Sequence, residues 1–452
     1  MKQKLLLTLI AFAVILPIPA LARDFTYTYE EQTLTYTVLD EEDKTCETKA
    51  GDWTSAGNLM HGPLSIPEIV EDESGNKYTV TAIGNFGFSQ TGPQGNLIIP
   101  NSVTAIGEYA FYRCFGLNGN LTIGNSVTII GKGAFSNCLF GGSLTIPKSV
   151  IYIGDDAFNG CSQFSGELII PDSVTYIGNG AFSSCRGFES LVIGKSVRTI
   201  GDCAFKWCFF TGNLIIPESV ISIGDGAFYE CKSFSGSLVL GNSVTTIGPT
   251  AFWNCGFTGD LTIPSSVTTI GDGAFMDCGS FIGSLTIPNS VRVIRRSAFA
   301  GCSGLSGELN IGCAVDSIYP TAFNGCPFAS VVSLNPIPPI VTVTNDYNDV
   351  EVAFEQSYCE KTPLIVPDGS EEAYSSSPVW EWFQSIKGLE SAGIDGVDSE
   401  GERAVRVEGG NIIAPEGSEV FDLSGRRVSA TGLRPGIYIV RIPGGKAVMV
   451  RL

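Results

Sequence analysis

Between Leu97 and Cys326 the apolar positions recur with a period of 23 or 24 residues, through ten copies. One copy reads Leu97-Ile-Ile-Pro-Asn-Ser-Val-Thr-Ala-Ile-Gly-Glu-Tyr-Ala-Phe-Tyr-Arg-Cys114. Its first residue returns as Leu121, Leu144, Leu168, Leu191, Leu214, Leu238, Leu261, Leu285 and Leu309. The step from that Leu to the Phe of the Ala-Phe pair is 14 residues in every copy, and from Phe to Cys it is 3. All variation in length lies between that Cys and the next Leu, a step of 6 or 7. A period this constant predicts stacked coils, because a unit so small buries its apolar face only against its neighbours. The constant part must register between coils, and the variable part must be a loop that absorbs one residue.

Within a coil, Leu-x-Ile has period 2, so Leu97 and Ile99 point inward and Ile98 outward. Pro100, or Gly as at Gly124 and Gly194, ends that strand. Val103 and Ile106 form a second inward pair on a short extended segment, and Gly107 permits the corner. Ala110, Phe111 and Cys114 fit one helical turn with Phe111 in the core. Coils stacked ~4.8 Å apart make ten copies a rod roughly 50 Å long.

The flanks carry other patterns. Residues 1–22 have a basic start at Lys2 and Lys4, an apolar run and the small-residue site Ala20-Leu21-Ala22, as a secretory signal peptide has. Phe25, Tyr27 and Tyr29, then Leu34, Tyr36 and Val38, predict a hairpin with one apolar face inside an N-terminal β cap, 23–63, that covers the first coil. Residues 40–63 read as polar and irregular, and a degenerate coil runs from Leu64 to Gly87-Phe88. The solenoid is thus expected over 64–326 and a C-terminal cap over 327–390, with Pro336, Pro338 and Pro339 at the boundary. Residues 391–404 are a Gly-, Ser- and acid-rich linker. Residues 405–452 return to strands separated by Gly turns, as in Gly436-Ile-Tyr-Ile-Val-Arg-Ile442.

The unit Leu-x-Ile-Pro-x-Ser-Val-x-x-Ile-Gly-x-x-Ala-Phe-x-x-Cys resembles the BspA-like leucine-rich repeat of bacterial surface proteins over about 64–326. Gly for Pro in some copies, and Ile294-Arg295 for Ile-Gly, are minor departures. The resemblance implies a mostly β, right-handed leucine-rich-repeat solenoid with short helical turns. It also implies adhesion to host matrix or to other cells. The stretch from Pro363 to Tyr374, with Trp380 and Phe383, looks like the C-terminal cap of such arrays. Residues 405–452, a small β-sandwich-like domain, are similar to type IX secretion sorting domains, which implies the secretion machinery as a partner.

Charge narrows the partners. The net charge is −19, and loss of residues 1–22 removes Lys2 and Lys4 and no acid, leaving −21. That opposes nucleic acid and anionic membrane surfaces. No stretch after the signal is apolar and long enough to span a bilayer. The expected location is therefore secreted or on the outer cell surface. Ten of the 14 Cys occupy one repeat position, Cys114 through Cys326. Export favours disulfides, but parallel side chains ~4.8 Å apart do not bring Cβ atoms to the ~3.8 Å a disulfide needs. The column therefore reads as a buried ladder of small residues, and the pairing of Cys46, Cys203, Cys313 and Cys359 stays open.

Catalytic signals are lacking. His61 is the single His, which removes Ser-His-Asp and Cys-His catalysis from the repeats along with His-based metal sites. No nucleotide-binding Gly motif sits between a strand and a helix. No enzyme, cofactor or metal is expected. The leading reading is a repeat protein that binds a host or cell-surface protein or glycan. A carbohydrate-binding or nutrient-capture module and a structural surface component are the alternatives. The contact patch is placed on coils two to four, at Ile129, Ile151, Tyr152 and Tyr176, where the two Tyr rings, one period apart, should be neighbours. Ile169 and Val192 join it from the outward column between Leu and Ile. Tyr112, Trp207, Tyr229 and Trp253 form a looser set around the Ala-Phe turn.

Overall fold

A computed structural model describes residues 23–30, 32–49, 62–346 and 349–389, and within the C-terminal segment 406–408, 411–414, 418–422, 426–431, 433, 437–441 and 447–451. Residues 1–22, where a signal peptide is expected, His61 and the expected linker at 391–404 lie outside the described residues. The chain is a mostly β solenoid of about 13 turns. One face is a 16-stranded sheet made largely of two-residue parallel strands, one per coil. Ala105–Ile106 pairs with Ile129–Ile130, which pairs with Tyr152–Ile153, then Tyr176–Ile177, Thr199–Ile200 and onward in register. The Leu-x-Ile segments build a second, interrupted ladder that includes a six-stranded sheet from Gly259–Thr262 to Ser385–Gly388. The in–out alternation follows the sequence pattern: Leu97 and Ile99 are buried, and Ile98 between them is 62% exposed.

The third side, around the Ala-Phe pair, joins coils through backbone hydrogen bonds of a different kind. The N–H groups of Tyr109, Phe111 and Arg113 donate to the carbonyls of Lys132, Ala134 and Ser136 in the next coil, at 2.7, 2.7 and 2.9 Å. The N–H groups between them turn back on their own coil: Tyr112 to Tyr109 and Cys114 to Phe111. This alternation needs left-handed backbone two residues before and two residues after the Phe. Tyr109 (φ 53°) and Arg113 (φ 56°) adopt it, as do Gly133 (58°) and Asn137 (59°), and the pair recurs through Thr321 and Gly325. The segment is consequently a pair of closed turns that never runs on into a helix. Gly and Asn recur at these positions because they meet the least steric cost there.

The same geometry explains the cysteines. From Phe111 to Phe299 each carbonyl of the repeated Phe accepts the N–H of its own coil's Cys and, with its second lone pair, the thiol of the following coil's Cys. Phe111 O, for example, takes Cys114 N–H and Cys138 Sγ. The ten thiol contacts, Cys114 to Cys326, span 2.9–3.1 Å. A buried carbonyl left half-satisfied would be costly, and a thiol is the small donor that fits. Burial pushes the thiol of Cys114 up to about 11 and those of Cys161, Cys231 and Cys278 to about 12, so they stay protonated as donors. All 14 cysteines are free, including Cys46, Cys203, Cys313 and Cys359.

Phe rings run in an unbroken column from Phe88 to Phe354, with centroids 5.2–5.7 Å apart and planes within 17°. A second buried column, Leu117, Phe140, Phe164, Phe188, Phe210, Phe234, Phe257, Phe281, Leu305 and Phe328, lies in the stretch the sequence pattern assigns to a variable loop. It meets the first column edge-on, as Phe135 meets Phe140 at 74°. The spare residue is absorbed mostly between Cys and this second aromatic, so the loop is shorter and better packed than the pattern implies.

Both ends are sealed. The predicted hairpin forms from Asp24–Tyr29 and Gln32–Asp40, and Phe25, Leu34, Tyr36 and Val38 are buried. Its Phe25 packs on Tyr78 of the first coil at 5.3 Å, but its strands do not pair with that coil directly. Thr45–Thr48, within the stretch expected to be irregular, pairs antiparallel with the hairpin and parallel with Lys77–Ile83. Arg23 secures this end, its guanidinium 2.6 Å from both the buried Asp72 carboxylate and the Tyr78 hydroxyl. At the other end the stacking runs past residue 326. Ile340–Val341 pairs with Ser317–Ile318 beyond the prolines, and Phe354 extends the ring column. Trp380 and Phe383 close over Phe354. In the C-terminal segment Glu419–Asp422 pairs with Arg427–Val428 and Ile437–Arg441, the latter with Ala447–Arg451, around a separate core of Ile412, Val420, Tyr438 and Val440.

Phe205→Ala should cost about 3–5 kcal/mol as a large-to-small core change. In a stack held by nearest-neighbour contacts it should split thermal unfolding into two cooperative steps; calorimetry showing one unchanged transition would count against that coupling. Native alkylation at pH 9 should label exposed Cys313 and spare the ten ladder thiols, which react only after unfolding. Mass spectrometry of the labelled protein without reductant checks both claims, and oxidised ladder pairs would refute the thiol–carbonyl assignment.

Candidate functional site

The outward positions of the 16-stranded sheet are one place where the coils differ from one another. Between inward Val150 and Ile153, coil three turns Ile151 and Tyr152 outward, at 50% and 40% exposure. Strand register sets Tyr152 directly between Ile129 and Tyr176. The two Tyr rings lie 5.4 Å apart and within 7° of parallel, as the period predicts. Tyr176 and Ile129 are half-buried. Further along, the same column holds Thr199, Ser222, Thr246 and Thr269, so the fold itself does not require aromatic rings there.

Carboxylates rim this patch. Burial raises the Tyr152 hydroxyl above its ordinary pKa, and the charges of Asp155 and Glu108 add to the shift. Burial likewise raises Tyr176, with Asp155, Tyr152 and Asp202 contributing. Asp155 is held in place by the backbone N–H of Asn179, 2.8 Å from Oδ1, and Asn179 in turn accepts the N–H of Asp202 at 2.7 Å. The patch is thus apolar and aromatic with a fixed acidic border.

Ile169 and Val192 lie elsewhere. They are paired on the second ladder, in Gly166–Ile169 and Phe188–Val192, and are exposed there. Ile215 and Val239 continue that stripe in the next two coils. The six candidates therefore divide between two sheets, with Ile129, Ile151, Tyr152 and Tyr176 together on one. A shallow groove of about 550 Å³ marks the start of the second ladder, lined by Ile98, Thr122, Thr145 and Pro147 among others. Among the described residues no three His, Cys, Asp or Glu side chains are grouped to hold a metal ion. No helix among them is long and apolar enough to cross a membrane.

The aromatic set at the Ala-Phe turn is tighter than its spacing suggests. Trp207 and Tyr229 meet edge-on at 6.4 Å, and Tyr229 and Trp253 at 5.0 Å. Lys206 Nζ lies 4.3 Å from the Trp207 centroid and 4.7 Å from that of Tyr229. Nearer the N-terminus Phe86 stacks on Tyr109 at 5.3 Å, and Tyr109 meets Tyr112 edge-on. Sequence reading passes over Phe86, Tyr109 and Lys206. Aligning the coils on their Phe and reading each column in turn would have found them.

The family model described as "BspA type Leucine rich repeat region (6 copies)" matches residues 81–211 and 199–329. Among solved structures the chain is similar to a leucine rich cell surface protein from Faecalibacterium prausnitzii A2-165, with 24% identity, 80% of this chain and 94% of that chain covered, and a TM-score of 0.47. A leucine-rich repeat protein from Bacteroides ovatus ATCC 8483 shares 25% identity over 68% of this chain and 94% of its own, with a TM-score of 0.35. The pneumococcal vaccine antigen PcpA shares 15% identity over 80% of this chain and 98% of its own, with a TM-score of 0.40. Among curated proteins there is no match.

Proposed function

This chain belongs to the BspA-type leucine-rich repeat family, and we propose that it is a non-enzymatic, secreted or surface-displayed protein that binds a protein partner in adhesion to host matrix or other cells. One observation carries the reading: two stacked tyrosines stand on a sheet column whose next four coils hold Thr or Ser. Tyr offers a large contact area with few rotors and is favoured where binding energy concentrates. Ile129 and Ile151 widen the apolar centre. Glu108, Asp155 and Asp202 give it an acidic border, which suits a partner with apolar side chains flanked by Lys or Arg. Residues 1–22 would direct export, and residues 405–452 would engage a type IX secretion machinery. The separate apolar cluster in that C-terminal segment supports its being a distinct unit.

Replacing Tyr152 and Tyr176 together by Ala should weaken binding to immobilised host matrix proteins more than tenfold while the melting temperature stays nearly constant. Surface plasmon resonance and calorimetry on the same preparations separate the two effects, and a matching loss of stability would place the rings in the core rather than in a site. Deleting residues 405–452 should leave the solenoid folded but misdirected. Cell fractionation reads this directly, and normal delivery of the truncated chain would end the sorting assignment.

A further inference from the structure

The corner built on Trp207, Tyr229 and Trp253 differs from the rest of the array in ways the fold does not ask for. The position after the core Phe holds Ser136, Asn159 and Ser183 in three successive coils, then Lys206, Tyr229 and Trp253 in the next three. The position after that holds Asn137 and Gly160, and later Asn254 and Gly301; coil five places Trp207 there. Its backbone is left-handed, φ 59°, where a bulky side chain is disfavoured. A large ring kept on strained backbone at the surface, 41% exposed, is a mark of function rather than of packing.

The geometry is that of a walled platform. The Trp207 indole offers a flat, half-exposed surface, and Tyr229 stands edge-on beside it. Trp253 braces Tyr229 and is itself fixed by its indole N–H, which donates to Asp277 at 2.9 Å. Lys206 carries its ammonium to the junction of the two rings, held by the ring faces. Arg186, one coil back, lies over Phe209.

We propose that this corner is a saccharide site whose ligand is a pyranose bearing a carboxylate. The C–H face of the sugar ring would lie on Trp207, and its carboxylate would take a charge-assisted hydrogen bond from Lys206. The site is separate from the Tyr152–Tyr176 sheet surface and does not depend on it. Nucleic acid, the other ligand that aromatic and basic groups together attract, needs a run of cations along its backbone, whereas one carboxylate needs only the single ammonium at this junction.

The test uses residues 23–452, titrated by calorimetry with trigalacturonate and 3′-sialyllactose, and with maltotriose and lactose as neutral counterparts. At least one acidic sugar should bind at least tenfold more tightly than its neutral counterpart, and which one does so distinguishes a polyuronide from a sialylated glycan as the source. Trp207→Asn installs the residue this column carries at 137 and 254, so folding should be retained while affinity falls at least tenfold. Lys206→Gln should cut the preference for the acidic sugar to under twofold. No binding of either acidic sugar at millimolar concentration, equal binding of the neutral sugars, or a folded Trp207→Asn variant with full affinity would each overturn the proposal.

Discussion

A single buried oxygen, the carbonyl of the repeated Phe, sets the terms for the whole array. It has two lone pairs and no access to water, so two donors must reach it. One comes from the coil it belongs to, through the Cys N–H, and the other from the next coil, through the Cys thiol. This fixes the Phe-to-Cys step at 3 and forbids slippage between coils. It also accounts for reduced cysteines in a chain with an export-like leader. The thiols are spent as hydrogen-bond donors and are buried.

The rest of the cross-section adapts to that fixed corner. Three inter-coil N–H bonds gather at the Phe of every coil from Phe88 to Phe299, whereas the strands on the other two sides are often only two residues long. The Ser of the Pro-x-Ser-Val turn applies the same logic, since Ser149 and Ser173 donate to the Val127 and Val150 carbonyls of the preceding coil. The outward sheet positions are therefore lightly constrained, and residues that vary from coil to coil stand there as well as on the outer side of the Ala-Phe corner.

How much was legible in the sequence depended on whether a signal kept a constant offset. Leu97, Ile99, Val103, Ile106 and Phe111 recur at fixed steps, and each is buried as read. The contact between Tyr152 and Tyr176 was legible for the same reason. The second aromatic column was not, because Phe140 stands two residues after its Cys and Phe164 three, so the pattern blurs into a loop. The left-handed positions were hidden by their variety: Tyr109, Gly133, Asp156 and Cys203 share a backbone conformation and little else. Thr45–Thr48 owes its strand to partners far away in sequence, which no local pattern reports. Ile169 and Val192 were grouped with the tyrosines because spacing gives the outward direction within a strand but not which face of the coil that strand occupies.

The thiol–carbonyl link has a consequence for how such a protein changes over generations. Every internal coil presents one fixed set of donors and acceptors to the coil before it and another to the coil after it. A duplicated or deleted stretch of 23 or 24 codons therefore joins without any new packing problem, so long as the Arg23-secured end and the Trp380 end remain. Rod length becomes a heritable variable that unequal recombination can adjust in single steps. The surface residues of a copied coil would then be free to diverge while their parent keeps its partner.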